Sequence, residues 1–89
     1  MDKNELLSEI DKASNYVEAS MNSEGKSGLK VFIDDLKKLK GKVLGNDLVN
    51  NPLRGFARRY AEMYSDYLNP ITDVLDKIEK SVDNYLDTN

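Results

Sequence analysis

The chain has 89 residues, 33% of them charged, a net charge of −3, and neither Cys, His nor Trp. Disulfides, thiolate chemistry and every Ser/His/Asp or Cys/His nucleophilic arrangement are thereby excluded. A chain this short folds as one domain around one thin core, with no room for a large enclosed active site.

The charge is segregated. Residues 1–29 carry a net −3, residues 30–59 carry +5 and residues 60–89 carry −5, a basic island between acidic ends. Such a pattern can steer a partner or pair the helices with one another. No segment is apolar for long enough to span a membrane, and the polar, acidic start (Met1 to Glu5) does not read as a signal peptide. The expectation is a cytoplasmic protein, with peripheral contact at the inner face of the membrane left open.

A first helix is predicted over residues 3–21. Asp2 and Glu5 have the spacing of a capping box, and Leu6, Ile10, Ala13, Val17 and Met21 form one stripe that Leu7 widens. A polar, glycine-punctuated loop follows at 22–28. The second helix is predicted over 28–44 with Ser27 as its cap, from Leu29, Phe32, Ile33, Leu36, Leu39 and Val43 at spacings of three and four. Gly45 offers the left-handed position that closes it. Leu48 and Val49 are expected to dock on the core ahead of the next helix.

Residues 51–86 read as an 18-residue unit written twice. Each copy opens with Asn-Pro (Asn51-Pro52, Asn69-Pro70) and closes with Tyr-Leu (Tyr67-Leu68, Tyr85-Leu86). Asn is a favoured N-cap and Pro a favoured first helical residue, so helices are predicted over 52–68 and 70–86, joined almost without a loop. Leu53, Phe56, Tyr60, Met63, Tyr64 and Tyr67 give the third an aromatic stripe. Ile71, Val74, Leu75, Ile78, Val82 and Tyr85 give the fourth a clean one. The predicted fold is all-α, an antiparallel up-down four-helix bundle.

Asp73 with Asp76, adjacent Asp34 and Asp35, and Asp66 fall on polar faces without the inward aim and His support of a di-metal bundle. No phosphate-binding glycine motif occurs. No catalytic residue, cofactor or metal ligand is assigned, and the expectation is a protein that acts by binding. Arg54, Arg58 and Arg59 with Phe56 and Tyr60, after the lysines at 37–42, resemble a phosphate-binding cluster. Yet Phe56 and Tyr60 lie on the apolar stripe and the total charge is acidic, which disfavours nucleic acid. Arg and Tyr dominate interface energetics. A protein partner is therefore expected along the seam of helices three and four, at Arg54, Arg58, Arg59, Tyr60, Tyr64 and Tyr67, led by Arg58 and Tyr64.

In architecture the chain resembles the immunity proteins of class IIa (pediocin-like) bacteriocins. The matching stretches are Ser27-Gly28-Leu29-Lys30-Val31-Phe32-Ile33, then Asn51-Pro52-Leu53, the tyrosine-rich third helix, and Ile71-Thr72-Asp73-Val74-Leu75-Asp76-Lys77-Ile78. The resemblance implies a four-helix protein of Gram-positive bacteria that protects its producer from the cytoplasmic side. It would engage a membrane sugar-transporter receptor that has bound the bacteriocin, without catalysis. Two alternatives share the acidity and the small size. One is a helical-hairpin protein of a type VII secretion system, though Trp-x-Gly is missing and Pro70 interrupts. The other is a phage or plasmid accessory protein that inhibits a partner by surface binding.

Overall fold

A carboxylate starts the first helix: the Asp2 side chain accepts a 2.8 Å hydrogen bond from the Glu5 amide, satisfying one of the N–H groups left over at a helix start. This computed structural model describes residues 1–66 and 68–87. Four α-helices are present, α1 (Lys3–Glu24), α2 (Lys30–Leu44), α3 (Phe56–Tyr64) and α4 (Ile71–Asp87). They pack antiparallel, α1 on α2, α1 on α4 and α3 on α4. The direction is visible in the cross-links, with Lys3 reaching Asn46, Lys40 reaching Asp11, Arg54 reaching Asp83 and Asn69 reaching Glu24.

The predicted stripes are the core. Leu6, Ile10, Ala13 and Val17 of α1, Phe32, Ile33, Leu36, Leu39 and Val43 of α2, and Ile71, Leu75, Ile78 and Val82 of α4 are all buried, as are Leu29, Leu53, Phe56 and Tyr60. Leu7, Met21, Val74 and Tyr85 are partly buried against them.

The boundaries differ from the predicted ones in instructive ways. α1 runs past residue 21, because its polar last turn is compatible with helix and the first residue able to turn left-handed is Gly25 (φ 67°). The Gly25 and Lys26 amides both close on the Met21 carbonyl. Ser27 does not cap α2. It opens a 3₁₀ turn, Ser27–Leu29, that leads straight into Lys30. At the other end of α2 the left-handed residue is Asn46 (φ 58°), not Gly45, whose φ is −84°. Lys3 donates to the Leu44 carbonyl there, a cation placed at the negative end of the helix dipole. Leu48 docks as expected, but Val49 points into solvent.

The largest correction concerns the third helix, predicted over 52–68 and observed as the nine residues Phe56–Tyr64. Asn51 and Asn69 behave alike at first: each side-chain oxygen accepts from the amide two residues on, Leu53 at 2.9 Å and Ile71 at 3.0 Å. After Pro70 the chain continues as helix, with the Asp73 and Val74 amides closing on the Pro70 carbonyl. After Pro52 it makes one turn and is stopped by Gly55 at φ 75°, so α3 starts afresh. Ser65, left-handed at φ 50°, ends α3 early, and residues 65–70 separate it from α4 where almost no loop was predicted.

Asn51 instead acts as a tie. Nearly buried, it donates to the Glu79 carbonyl and to Asp83, both at 2.9 Å, which holds the connection 45–55 against α4. Among the four seams one is wide: no α2 Cα comes within 8 Å of an α3 Cα. Side chains span it, chiefly the Phe32 and Phe56 rings 5.0 Å apart and the Tyr60 ring 6.1 Å from Phe32.

Ile78 faces the centre of this arrangement and is 2% exposed. Replacing it with Ala should cost roughly 2–5 kcal/mol, the removed contacts plus the residual cavity. Urea titration reads this directly, and a cost under about 0.5 kcal/mol would mean that α4 does not carry the core.

Candidate functional site

Four of the six residues expected at a partner surface belong to the internal fabric or its flank. Tyr60 is fully buried, and its hydroxyl lies 2.7 Å from Lys26 Nζ and 3.1 Å from Asp66 Oδ2. Arg59 lies over the Phe32 and Phe56 rings, 5.0 and 5.5 Å from their centres, and pairs with Asp35 of α2. It closes the wide α2–α3 seam with a planar cation, an arrangement that suits Arg because its guanidinium is weakly hydrated and stacks on aromatic faces. Arg54 pairs with Asp83 at 3.1 Å across to α4. Tyr64 is half-buried, its ring 5.2 Å from that of Tyr60. Gly28 makes this possible, since a Cβ there would stand 2.6 Å from the Tyr64 hydroxyl oxygen.

Arg58 is the exception. It projects outward and, among the described residues, bonds Glu62 alone, one turn along its own helix, at 3.0 Å. A pair this exposed contributes little to stability, so Arg58 is available to a partner. Tyr67 lies outside the described residues. The structure thus brings Tyr60 and Tyr64 together, turns Arg59 to the α2–α3 seam and leaves Arg58 and Arg54 apart.

The residue that sequence reasoning missed is Lys26, read there as one of a run of loop polars. Its side chain is 19% exposed, and its ammonium bonds Glu24 at 3.3 Å, Tyr60 at 2.7 Å and Asp66 at 3.2 Å. It also stands 5.3 and 5.1 Å from the Tyr60 and Tyr64 ring centres. An ammonium has three N–H bonds, and three acceptors meet them. No periodicity marks Lys26; its only sequence signal is a lone cation between Gly25 and Gly28, facing a tyrosine stripe.

The cluster shifts its own titrations. The bond to Tyr60, reinforced by Asp66 and Glu24, pushes the Lys26 ammonium above its ordinary 10.5, against the opposing effect of burial. Burial pushes the Tyr60 phenol above 10.0, although Lys26 pulls the other way. The bond from Lys26 holds the Asp66 carboxyl below 3.8.

Beside this cluster the α3–α4 connection exposes apolar surface. Leu68 is 96% exposed and Met63, at the end of α3, 48%. Among the described residues, no three Asp or Glu side chains stand as a group able to hold a metal ion, and no helix is long and apolar enough to cross a membrane. A groove of about 180 Å³ lies between α1 and α4, lined among others by Tyr16, Val74 and Ile78, and a wider, more polar one of about 430 Å³ runs along α4 beside Met1. Comparison with protein-family models, with curated proteins and with solved structures finds no match to this chain.

Two measurements check the cluster. Tyr60→Phe should cost about 1 kcal/mol in urea titration, the net worth of the hydroxyl's bonds, because Lys26 and Asp66 still meet directly. The pH dependence follows from the signs. Asp66 titrates lower when folded, so its contribution is present above the ordinary carboxylate value and is lost as pH falls through the lower folded one. Lys26 and Tyr60 titrate higher when folded, so theirs is complete below 10.0 and is lost as pH rises beyond it. Melting temperatures across pH should show an alkaline limb that Lys26→Met with Tyr60→Phe flattens. An unchanged limb would remove the cluster from the account.

Proposed function

We propose that this chain is a non-catalytic protein-binding module, and within that class a bacteriocin immunity protein of the pediocin-like kind. It would act from the cytoplasmic side on a receptor that has bound the peptide. The observation that carries the binding reading is the end of α3 and the connection after it, where Leu68 and Met63 stand exposed, with Arg58 projecting outward from the same helix as Met63. Large apolar side chains beside an Arg held only by an exposed pair within its own helix are the composition of an interface centre. The composition supports the absence of catalysis, since the common acid–base and nucleophilic residues His and Cys do not occur.

The immunity reading draws on the resemblance and on the four-helix fold that it implies. Relative to the surface first expected, the proposed one shifts outward. Arg58, Met63 and Leu68 make contact, while Tyr60 and Arg59 hold α3 in place. A type VII helical hairpin calls for two long helices, whereas this chain is interrupted at residues 25–29, 45–55 and 65–70.

The test is expression in a bacteriocin-sensitive strain followed by challenge with a panel of pediocin-like peptides. Protection should extend to one or a few peptides. Arg58→Ala with Leu68→Ser should abolish it without lowering the melting temperature. No protection against any peptide would defeat the immunity reading. Protection that survives in the double variant would leave the family reading standing and move the surface elsewhere.

A further inference from the structure

Most cations in this molecule have partners. Lys12, Lys26, Lys40 and Lys80, and all three arginines, form ion pairs with Asp or Glu, and Lys3 is bonded at the end of α2. The five remaining lysines make no ion pair among the described residues: Lys77 stands singly on α4, and Lys30, Lys37, Lys38 and Lys42 are all exposed and together on α2.

Lys30 and Lys37 stand two turns apart and Lys38 and Lys42 one turn apart, two adjoining rows that together cover the outer face of the helix over about 18 Å at 1.5 Å per residue. Asp34 is the one carboxylate on that face; Asp35, at its edge, is held by Arg59. Val31, 49% exposed, and Leu44, also exposed, lie at the two ends of the strip. Gly41 sits within it, and a Cβ there would meet nothing within 4 Å, so no packing demand inside the molecule accounts for the missing side chain. The acidic α4 stands on the diagonal of the bundle, with no Cα within 8 Å of α2. The body as a whole is therefore a dipole whose positive end is the outer face of α2.

We propose that this face docks on an anionic lipid surface, lying flat with its lysines at the headgroups and Val31 and Leu44 at the boundary with the acyl chains. Charge complementarity supplies the attraction, since lysine strips beside anionic leaflets gain from every cation within a Debye length. The residue types decide between partners. Protein interfaces are depleted in Lys and built on Arg and aromatic anchors, whereas this strip has Lys alone, whose aliphatic stems suit the interface between water and lipid. Single-stranded nucleic acid calls for exposed rings on which bases stack, and the exposed side chains at this strip are aliphatic. The proposal is independent of the reading given above: it concerns a different helix and predicts binding to lipid without any protein receptor.

Flotation of the full chain with vesicles tests it. Mixed phosphatidylglycerol and phosphatidylcholine vesicles at low salt should carry the protein, and phosphatidylcholine vesicles alone should not. Raising salt to about 0.5 M should release it, because screening shortens the reach of exposed charges. Lys38→Gln with Lys42→Gln should lower the partition coefficient about fivefold for each lysine removed. Lys12→Gln with Lys77→Gln, in the groove between α1 and α4, should leave it unchanged. The exposed positions keep both double variants folded, which circular dichroism verifies. The proposal is overturned if anionic vesicles carry no protein, if neutral vesicles carry as much, or if the groove pair loses as much as the strip pair. It is also overturned if soluble polyglutamate or duplex RNA binds as strongly as the vesicles, since the strip would then recognise carboxylates or phosphates rather than a lipid surface.

Discussion

One ammonium group joins three parts of the chain, two of them far from it in sequence. Lys26 leaves the end of α1, passes under the aromatic stripe of α3 and meets the connection to α4 at Asp66. A cation in such a place is tolerable only when its hydrogens are matched, because partial desolvation penalises any unmet charge. Here the match decides the local geometry. Tyr60 must present its oxygen inward, Asp66 must turn back toward the bundle, and Gly28 must lack a side chain so that Tyr64 can lie alongside. The early end of α3 at Ser65 belongs to the same set, since a helix continuing through residue 66 would carry Asp66 onward along its axis.

At the opposite end of the bundle Asn51 has a comparable role with neutral chemistry. Its amide spans from its own turn to the Glu79 carbonyl and the Asp83 carboxylate, and Asp83 also receives Arg54. Each end of α3 is thus anchored by one polar side chain that reaches another element. Between the two anchors the wide α2–α3 seam is filled by rings rather than by close backbone approach. The segregated charge of the sequence takes a spatial form as well: α2 and α4 occupy opposite corners, and much of their pairing is with α1 and α3.

The core and fold class were legible because periodicity reports burial, and each predicted stripe on α1, α2 and α4 became a buried face. α3 was misread for a specific reason. Asn51-Pro52 and Asn69-Pro70 carry the same local signal and make the same first hydrogen bond, so the difference lies three residues past each proline. Gly55 can turn left-handed at little cost, while Asp73 in the matching position favours the first turn of a helix. Counting the repeat hid that contrast. Of the six residues expected at a binding surface, the sequence could not separate Arg58 from Arg59, neighbours with the same charge. Their division depends on Asp35 and the Phe32 ring, both on α2 and distant in the chain, with Phe56 one turn back on the same helix. Lys26 was illegible for the same reason, because its partners Tyr60 and Asp66 lie 34 and 40 residues away.

The brevity of α3 carries a thermodynamic consequence. Nine residues are well below the length at which a helix holds in water by itself, so α3 exists because α4 and the rings of α2 receive it. Its population is therefore tied to the docking of its neighbours rather than to its own hydrogen bonds. A ligand that grips the outer side of α3 would select the docked state and so tighten the whole bundle. Conversely, a substitution deep in the α2–α3 seam would weaken that ligand's affinity at a distance, by lowering the fraction of molecules in which α3 is formed.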